Sequence, residues 1–262
     1  MSGRLQGKVC IVTGGAQGIG AAYAVAMAAE GADVAVFDLK RIDQATEVEA
    51  AIAALGRRSL ALRADVTDAD QMREAVATVV GELGRVDCLV NNAALMFDQL
   101  TATWDEFLAV NFMGIVNASN AVVPYLWEQG SGSIVNISST AAFPIPLPDF
   151  LRPGPDSPAP RVDPSGYGIT KWMVIFQTRH MAQMLGVKNI RVNAVAPGVT
   201  MSPATKAVVP EPIIDALAAA SALHTTLEPE DMTGVVVFLA SDESSKMTGQ
   251  VLINDAGTWF SG

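Results

Sequence analysis

Short apolar runs bounded by turn residues recur along the chain, at residues 8–12, 33–37, 59–63, 86–90, 133–137, 190–195 and 251–254. Each is too short for a helix and bounded by turn residues, so each is predicted as a strand. Between them lie alanine- and leucine-rich segments with helical spacing. Residues 21–30 and 46–55 are two such helices; Thr67 or Asp68 caps a third that runs to about Leu83, where Gly84 stops it. A long helical segment at 103–129 is expected to be interrupted at Pro124, and another runs from Tyr167 to about residue 185. The connection at 201–224 carries a helix around 212–222, and Pro229 opens a further helix whose dipole Glu228, Glu230 and Asp231 complement. Alternating strands and helices predict an α/β fold: a doubly wound, Rossmann-type sheet of seven parallel strands with helices on both faces, in one domain over 1–262. In such sheets ligands bind at the carboxyl ends of the strands.

The rhythm breaks between residues 140 and 166. This stretch contains Pro144, Pro146, Pro148, Pro153, Pro155, Pro158, Pro160 and Pro164, and so can be neither a regular helix nor a central strand. Because the β-α pattern resumes after it, it is predicted to be an inserted loop, semi-rigid and placed as a wall beside the substrate.

Composition narrows the partners. A chain of 262 residues that is 50% hydrophobic can bury a sizeable core. Its net charge of −10 and sequence pI near 4.6 disfavour nucleic acid and anionic membranes, which leaves small molecules. No apolar run is seen to approach the roughly 18 residues of a membrane span, and the N-terminus lacks a signal-peptide core, so a cytoplasmic protein is expected. Cys10 and Cys88 sit in apolar runs and are predicted to be structural. His180 and His224 are the only histidines, and with no Cys/His cluster no metal site is expected.

The chemistry is concentrated at strand ends. Thr13-Gly14-Gly15-Ala16-Gln17-Gly18-Ile19-Gly20 joins a strand to a helix. Its glycines permit a tight turn and close backbone approach, and the helix N-terminus favours a phosphate, so the turn is a candidate pyrophosphate cradle. Asp38 ends the second strand, where an acid can accept hydrogen bonds from ribose hydroxyls and repel a 2′-phosphate; Lys40 and Arg41 stand nearby. Asp65-Val66, Asn91-Asn92-Ala93 and Ser138-Ser139 end the next three strands but one another's neighbours in space only if the sheet forms as predicted. Tyr167 and Lys171 lie four apart on one helix face. A tyrosine of reference pKa about 10 is a poor base, and a fixed ammonium beside it favours the phenolate.

In this order the motifs resemble those of the short-chain dehydrogenase/reductase family over nearly the whole chain. The resemblance implies cofactor contacts at Gly14, Gln17, Gly18, Ile19, Gly20, Asp38, Asp65, Val66, Asn91, Ala93, Tyr167, Lys171, Pro197, Gly198, Val199 and Ser202. It places the catalytic set on Asn111, Ser139, Tyr167 and Lys171, and it implies a homo-oligomer, tetramer or dimer, built through the helices that carry Asn111 and Tyr167. NAD is the expected cofactor. Three departures stand out: Ala94 follows Asn-Asn-Ala where glycine is usual, Asn254-Asp255-Ala256-Gly257 varies the C-terminal ending, and the segment between Ser139 and Tyr167 is long. Leu95, Ala141, Phe143 and Met201 are candidates for an apolar substrate pocket, with Met96 and Ala142 bordering it, which points to an apolar secondary alcohol or ketone, cyclic and aromatic ones included. Two alternatives stay open. One is reduction of a 3-oxoacyl thioester, against which Asp38 weighs because that reduction commonly draws on NADPH; the other is a non-catalytic cofactor-binding relative.

Overall fold

The strands are β1 (Val9–Thr13), β2 (Asp33–Asp38), β3 (Ser59–Arg63), β4 (Cys88–Asn91), β5 (Gly132–Ile137), β6 (Ile190–Pro197) and β7 (Val251–Asn254). They form one 7-stranded sheet in the order β3-β2-β1-β4-β5-β6-β7, parallel throughout. The computed structural model describes residues 3–41, 43–96, 102–143, 154, 156–157 and 166–259. Most of the proline-rich stretch expected as an inserted wall therefore lies outside the described residues.

The helices are α1 (Gly18–Ala29), α2 (Ala45–Ala54), α3 (Ala69–Leu83), α4 (Trp104–Phe107), α5 (Gly114–Gln129), α6 (Gly166–Leu185), α7 (Pro203–Val208), α8 (Glu211–Ala220) and α9 (Thr233–Ala240). Successive strand residues point to opposite faces, so one strand feeds two cores. Cys10 and Val12 of β1 pack with Tyr23 and Met27 of α1, Ile52 of α2 and Leu239 of α9. Val9 and Ile11 join the opposite core with Met72 of α3, Val122 of α5 and Met181 of α6. Burial on both faces is why these runs are continuously apolar. The sheet order reverses direction between β1 and β4, and at such a switch point the loops leaving the strand ends part to open a crevice.

Several boundaries differ from expectation for local reasons. Helix α1 starts at Gly18, three residues early, because the Ala21 amide already donates to the Gln17 carbonyl at 3.2 Å. Asp68 caps α3 by accepting from the amides of Asp70 and Gln71 at 2.9 and 3.0 Å, and Gly84 ends it in the left-handed region at φ 90°. The 103–129 segment is not broken at Pro124, which sits inside α5. The carbonyl that proline leaves without a donor belongs to Asn120, an exposed residue that water can serve. The irregularity lies earlier, where Leu108–Met113 widens into a π-helical turn between α4 and α5. The 201–224 connection holds two helices, α7 and α8, where one was expected. Pro229 opens a single 3-10 turn, Pro229–Met232, closed by a reciprocal Glu228–Asp231 capping box, and α9 follows.

Against the expectation of no long apolar run, Trp104–Gln129 reaches a mean hydropathy of 1.4, enough by length and composition to cross a bilayer. In the fold its residues Ile115, Ala118, Val122 and Leu126 are buried, and Ala118, Val122 and Leu126 join the core shared with α3. Cys10 and Cys88 are register partners on adjacent strands, both fully buried. The hydrogen bond between the thiols, and then burial, pushes the Cys10 thiol well above its usual range, as suits a packing role.

Candidate active site

A cleft of about 520 Å³ opens along the carboxyl ends of β1, β2, β4, β5 and β6. Its floor is the glycine turn. Gly14 and Gly18 adopt φ of 61° and 57°, a region costly for residues with a Cβ. Gly20 is needed for proximity: a Cβ there would overlap the Gly14 carbonyl and come within 2.5 Å of Asn92 Nδ2. Gln17 and Ile19 complete this part of the wall.

The turn is held from β4 by Asn92, a residue the site reading did not single out. Asn92 Nδ2 donates to the carbonyls of Thr13 and Gly14 at 3.1 and 2.9 Å. In return, Thr13 Oγ1 accepts from the amides of Asn92 and Ala93 at 3.0 and 3.1 Å. The Asn91 side chain is turned away. It is 2% exposed, and its amide donates to Ser119 Oγ and Asn136 Oδ1 at 3.2 and 2.8 Å. Strand alternation explains the correction, since Asn91 ends β4 on the face covered by α5 and α6 and only the next residue can face the turn. The asparagine pair was a legible signal; which member faces the cleft was not.

Asp38 stands on the rim with Leu39, Lys40 and Arg41. Its Oδ1 accepts from the amides of Lys40 and Arg41 at 3.1 and 3.0 Å, which fixes the carboxylate at the cleft edge. Asp65 and Val66 line the same end; Asp65 Oδ1 accepts from the amide and hydroxyl of Thr67 at 2.9 and 2.8 Å.

At the other end Ser139, Tyr167 and Lys171 all line the cleft. Ser139 caps a short 3-10 turn, Thr140–Ala142, accepting from the Ala141 amide at 3.2 Å. Neighbouring Ser138 points inward and donates to the Lys171 carbonyl at 2.7 Å, so β5 and α6 are locked together at this level. Lys171 is 3% exposed; its Nζ donates to the Ile137 carbonyl at 2.8 Å and lies 5.6 Å from the centre of the Tyr167 ring. Burial lowers its pKa to about 8. Asn111 is fully buried beneath the cleft. Its Oδ1 accepts from the Leu95 amide at 2.7 Å, and its Nδ2 donates to the Leu95 carbonyl at 3.0 Å and Thr170 Oγ1 at 3.2 Å. The π-helical turn carries Asn111, and such turns commonly mark functional positions. Thr170, also missed from sequence, donates from its hydroxyl to the carbonyls of Gly166 and Tyr167 at 2.7 and 2.9 Å, tying Asn111 to the start of α6.

Pro197, Gly198, Val199 and Ser202 line the opposite wall. Ser202 caps α7 through the Thr205 amide at 3.2 Å. Of the pocket candidates, Leu95 and Ala141 line the cleft together with Met96. Phe143 and Met201 do not: Phe143 stacks on Trp259, and Met201 is buried, its amide donating to the Leu227 carbonyl at 2.6 Å.

A glycine turn at a sheet switch point, beside a buried lysine and a tyrosine, is the arrangement of a Rossmann-type fold with its cleft at the strand ends. Family models agree. Residues 8–148 match the one described as short chain dehydrogenase, and residues 159–258 match the one described as Enoyl-(Acyl carrier protein) reductase. The chain is 39% identical over 259 residues to a 3-oxoacyl-(acyl-carrier-protein) reductase of Thermotoga maritima, covering 97% of this chain and 98% of the relative. It is 38% identical over 263 residues to a 3-alpha-(or 20-beta)-hydroxysteroid dehydrogenase of Mycobacterium bovis, covering 98% and 92%. A hydroxysteroid dehydrogenase structure from Escherichia coli superposes with a TM-score of 0.82 at 30% identity, covering 98% of each chain. A 7 alpha-hydroxysteroid dehydrogenase complexed with NADH and 7-oxo glycochenodeoxycholic acid superposes with a TM-score of 0.85 at 31% identity, covering 97% and 95%. The chain belongs to the short-chain dehydrogenase/reductase family, whose members are oxidoreductases that bind a nicotinamide cofactor and act on small molecules.

Proposed function

We propose that the chain transfers a hydride between NAD(H) and an apolar secondary alcohol or ketone, cyclic and aromatic ones included. The observation that carries this reading is a lysine buried at the base of the cleft, 5.6 Å from the ring of a tyrosine that opens onto it. When bound, the nicotinamide supplies the hydride acceptor or donor; the chain's own task is the proton. Tyr167 accepts the hydroxyl proton as the alcohol is oxidised and returns it as the ketone is reduced. The Lys171 ammonium favours the phenolate that does this. Ser139 hydrogen-bonds the reacting oxygen and holds the carbon in position. Asn111, through Leu95 and Thr170, keeps the start of α6 in register with the β4 exit.

The residues present fit a dinucleotide, because a Cβ on Gly18 would meet nothing nearer than Ser202 Cβ at 3.7 Å, which leaves the cleft clear beside the helix N-terminus, while Gly14 and Gly20 let the turn pack closely on Ala93 and Asn92. Gln17 and Ile19 would flank the pyrophosphate, Asp65 and Val66 the adenine, and Pro197, Gly198, Val199 and Ser202 the nicotinamide. Ala93 would lie beside the ribose through its backbone, Asn91 acting only indirectly through Asn92. Asp38 supports NAD over NADP: one oxygen is committed to the loop amides, leaving the other for ribose hydroxyls, and its charge opposes a 2′-phosphate. A 3-oxoacyl thioester is the second reading, favoured by the 39% identity to the Thermotoga maritima reductase. Assembly as a homo-oligomer, tetramer or dimer, is supported by exposed apolar side chains one turn apart on α6, Trp172 at 54% and Phe176 at 63%.

A panel of ketones, alcohols and a 3-oxoacyl thioester, followed by nicotinamide absorbance with NAD(H) and NADP(H), tests the reading. NAD should give a kcat/KM at least roughly tenfold above NADP, and Asp38→Ala should shrink that preference. Tyr167→Phe should lower kcat by about a hundredfold or more while NADH binding, followed by fluorescence, stays near normal. Retained turnover in Tyr167→Phe would move the proton to another group, and equal use of the two cofactors would remove the role given to Asp38.

A further inference from the structure

We propose that Asp255 is a positioning residue for the cofactor: the turn it organises after β7 backs the wall formed by Pro197, Gly198 and Val199, and so sets where the nicotinamide ring lies. This inference rests on the cofactor reading above, in which the ring meets that wall. Pro197, Gly198 and Val199 line the cleft, and Asp255 stands behind them without lining it.

The wall is held from one side. Pairing of β6 with β5 ends at Val195, whose carbonyl accepts from the Ser138 amide at 2.7 Å. Ser139 and Gly198 both line the cleft, so the gap between the exits of β5 and β6 belongs to it. Pairing of β6 with β7 continues further, to Pro197 opposite Asn254, and the Gly198 amide then donates to the Asn254 carbonyl at 2.9 Å. The position of the wall is therefore left to β7 and the turn that follows it.

That turn is Asn254-Asp255-Ala256-Gly257, the C-terminal departure in the sequence. A Cβ on Gly198 would lie 2.7 Å from Asp255 Cβ and 2.8 Å from its Cα, so the two backbones come this close only because residue 198 is glycine. Asp255 is 6% exposed, and its carboxylate is committed to its own turn: Oδ1 accepts from the Gly257 amide at 2.9 Å and Oδ2 from the Trp259 amide at 2.7 Å. The turn needs such support. Ala256 adopts φ 56°, in the left-handed region that is costly for a residue with a Cβ. Bonds from distant segments hold it there. The carbonyls of Ala256 and Gly257 accept from the amides of Leu223 and Ala222, both at 3.1 Å, and Asn254 Nδ2 donates to the Asp231 carbonyl at 3.0 Å. Without the carboxylate the Gly257 and Trp259 amides lose their acceptor, the turn relaxes, and the glycine packed against it shifts with it.

The test needs no turnover. Calorimetry on the intact chain compares NADH with ADP-ribose, which lacks the nicotinamide, and the fluorescence of bound NADH reports the surroundings of the ring. Asp255→Ala should weaken NADH binding roughly tenfold while ADP-ribose stays within about twofold, because the glycine turn and Asp38 lie at the other end of the cleft. Asp255→Asn, which keeps one acceptor in the turn, should weaken NADH only about threefold. Unchanged NADH binding in both variants would overturn the proposal. Equal weakening of NADH and ADP-ribose, or failure of both variants to fold, would make Asp255 purely structural and also overturn it. If NADH fluorescence is unaltered on binding to the wild type, the ring does not meet the wall; the cofactor reading then fails, and the proposal with it.

Discussion

Lys171 shows how a single side chain trades stability for chemistry. Its ordinary pKa of 10.5 falls to about 8 because burial penalises the ammonium. Below pH 8 the lysine is protonated in both folded and unfolded chains, so the folded state bears the whole penalty, of the order of 3 kcal/mol. As pH rises from about 8 to 10.5 the folded chain sheds the proton first, and the penalty disappears. Lys171→Met removes the charge at similar length, at the cost of the bond to the Ile137 carbonyl, worth about 1 kcal/mol. The variant should therefore be inactive yet more stable than the wild type by about 1–2 kcal/mol at pH 7, with the gain shrinking towards pH 10. Urea unfolding of the cofactor-free protein at several pH values measures this, and a pH-independent difference would contradict it. The sequence placed Lys171 beside Tyr167 through the four-residue helical spacing. It did not reveal that Ile137 and Ser138, over thirty residues away, would bury and hold it.

At the scale of elements, the glycine turn and the β4 exit behave as one unit. Gly20 faces the Gly14 carbonyl and the Asn92 amide with no room for a Cβ, and Asn92 bonds the start of the turn at the Thr13 and Gly14 carbonyls. Gly20→Ala forces one of these groups to move. It should destabilise the fold by about 1–3 kcal/mol and weaken NADH binding at least roughly tenfold. Calorimetry and fluorescence titration report the two effects separately; unchanged NADH affinity would show that the turn does not hold the pyrophosphate. The strands, and the ends of α3 at Asp68 and Gly84, were legible because caps and apolar runs are local signals. The long helix was read less well. Pro124 is the stronger sequence signal for a break, yet its freed carbonyl faces water and costs little, whereas the π-helical turn at Leu108–Met113 has no composition signature. That turn is stabilised from outside, by the bonds of Asn111 to Leu95 and Thr170.

For the whole molecule, the α6 surface carries the prediction. Ile169, Trp172 and Phe176 fall three and four residues apart and are 40%, 54% and 63% exposed, a stripe of apolar area that is costly to leave in water. Trp172→Glu combined with Phe176→Glu should convert an oligomer into a 27.4 kDa monomer, read by sedimentation or light scattering. A wild-type chain that already sediments as a monomer would remove the proposed assembly. The parallel sheet and its strand-end chemistry were readable in outline from sequence, because period-two and helical spacings, glycine turns and caps act between near neighbours. Tertiary structure alone decided that Asn92 and not Asn91 faces the turn, that Lys171 is buried, that Phe143 leaves the cleft, and that Trp259 returns to meet it. Each depends on which residues, far apart in the chain, the sheet order brings together, and pairwise distance through space is a property of the packed core that no local pattern contains.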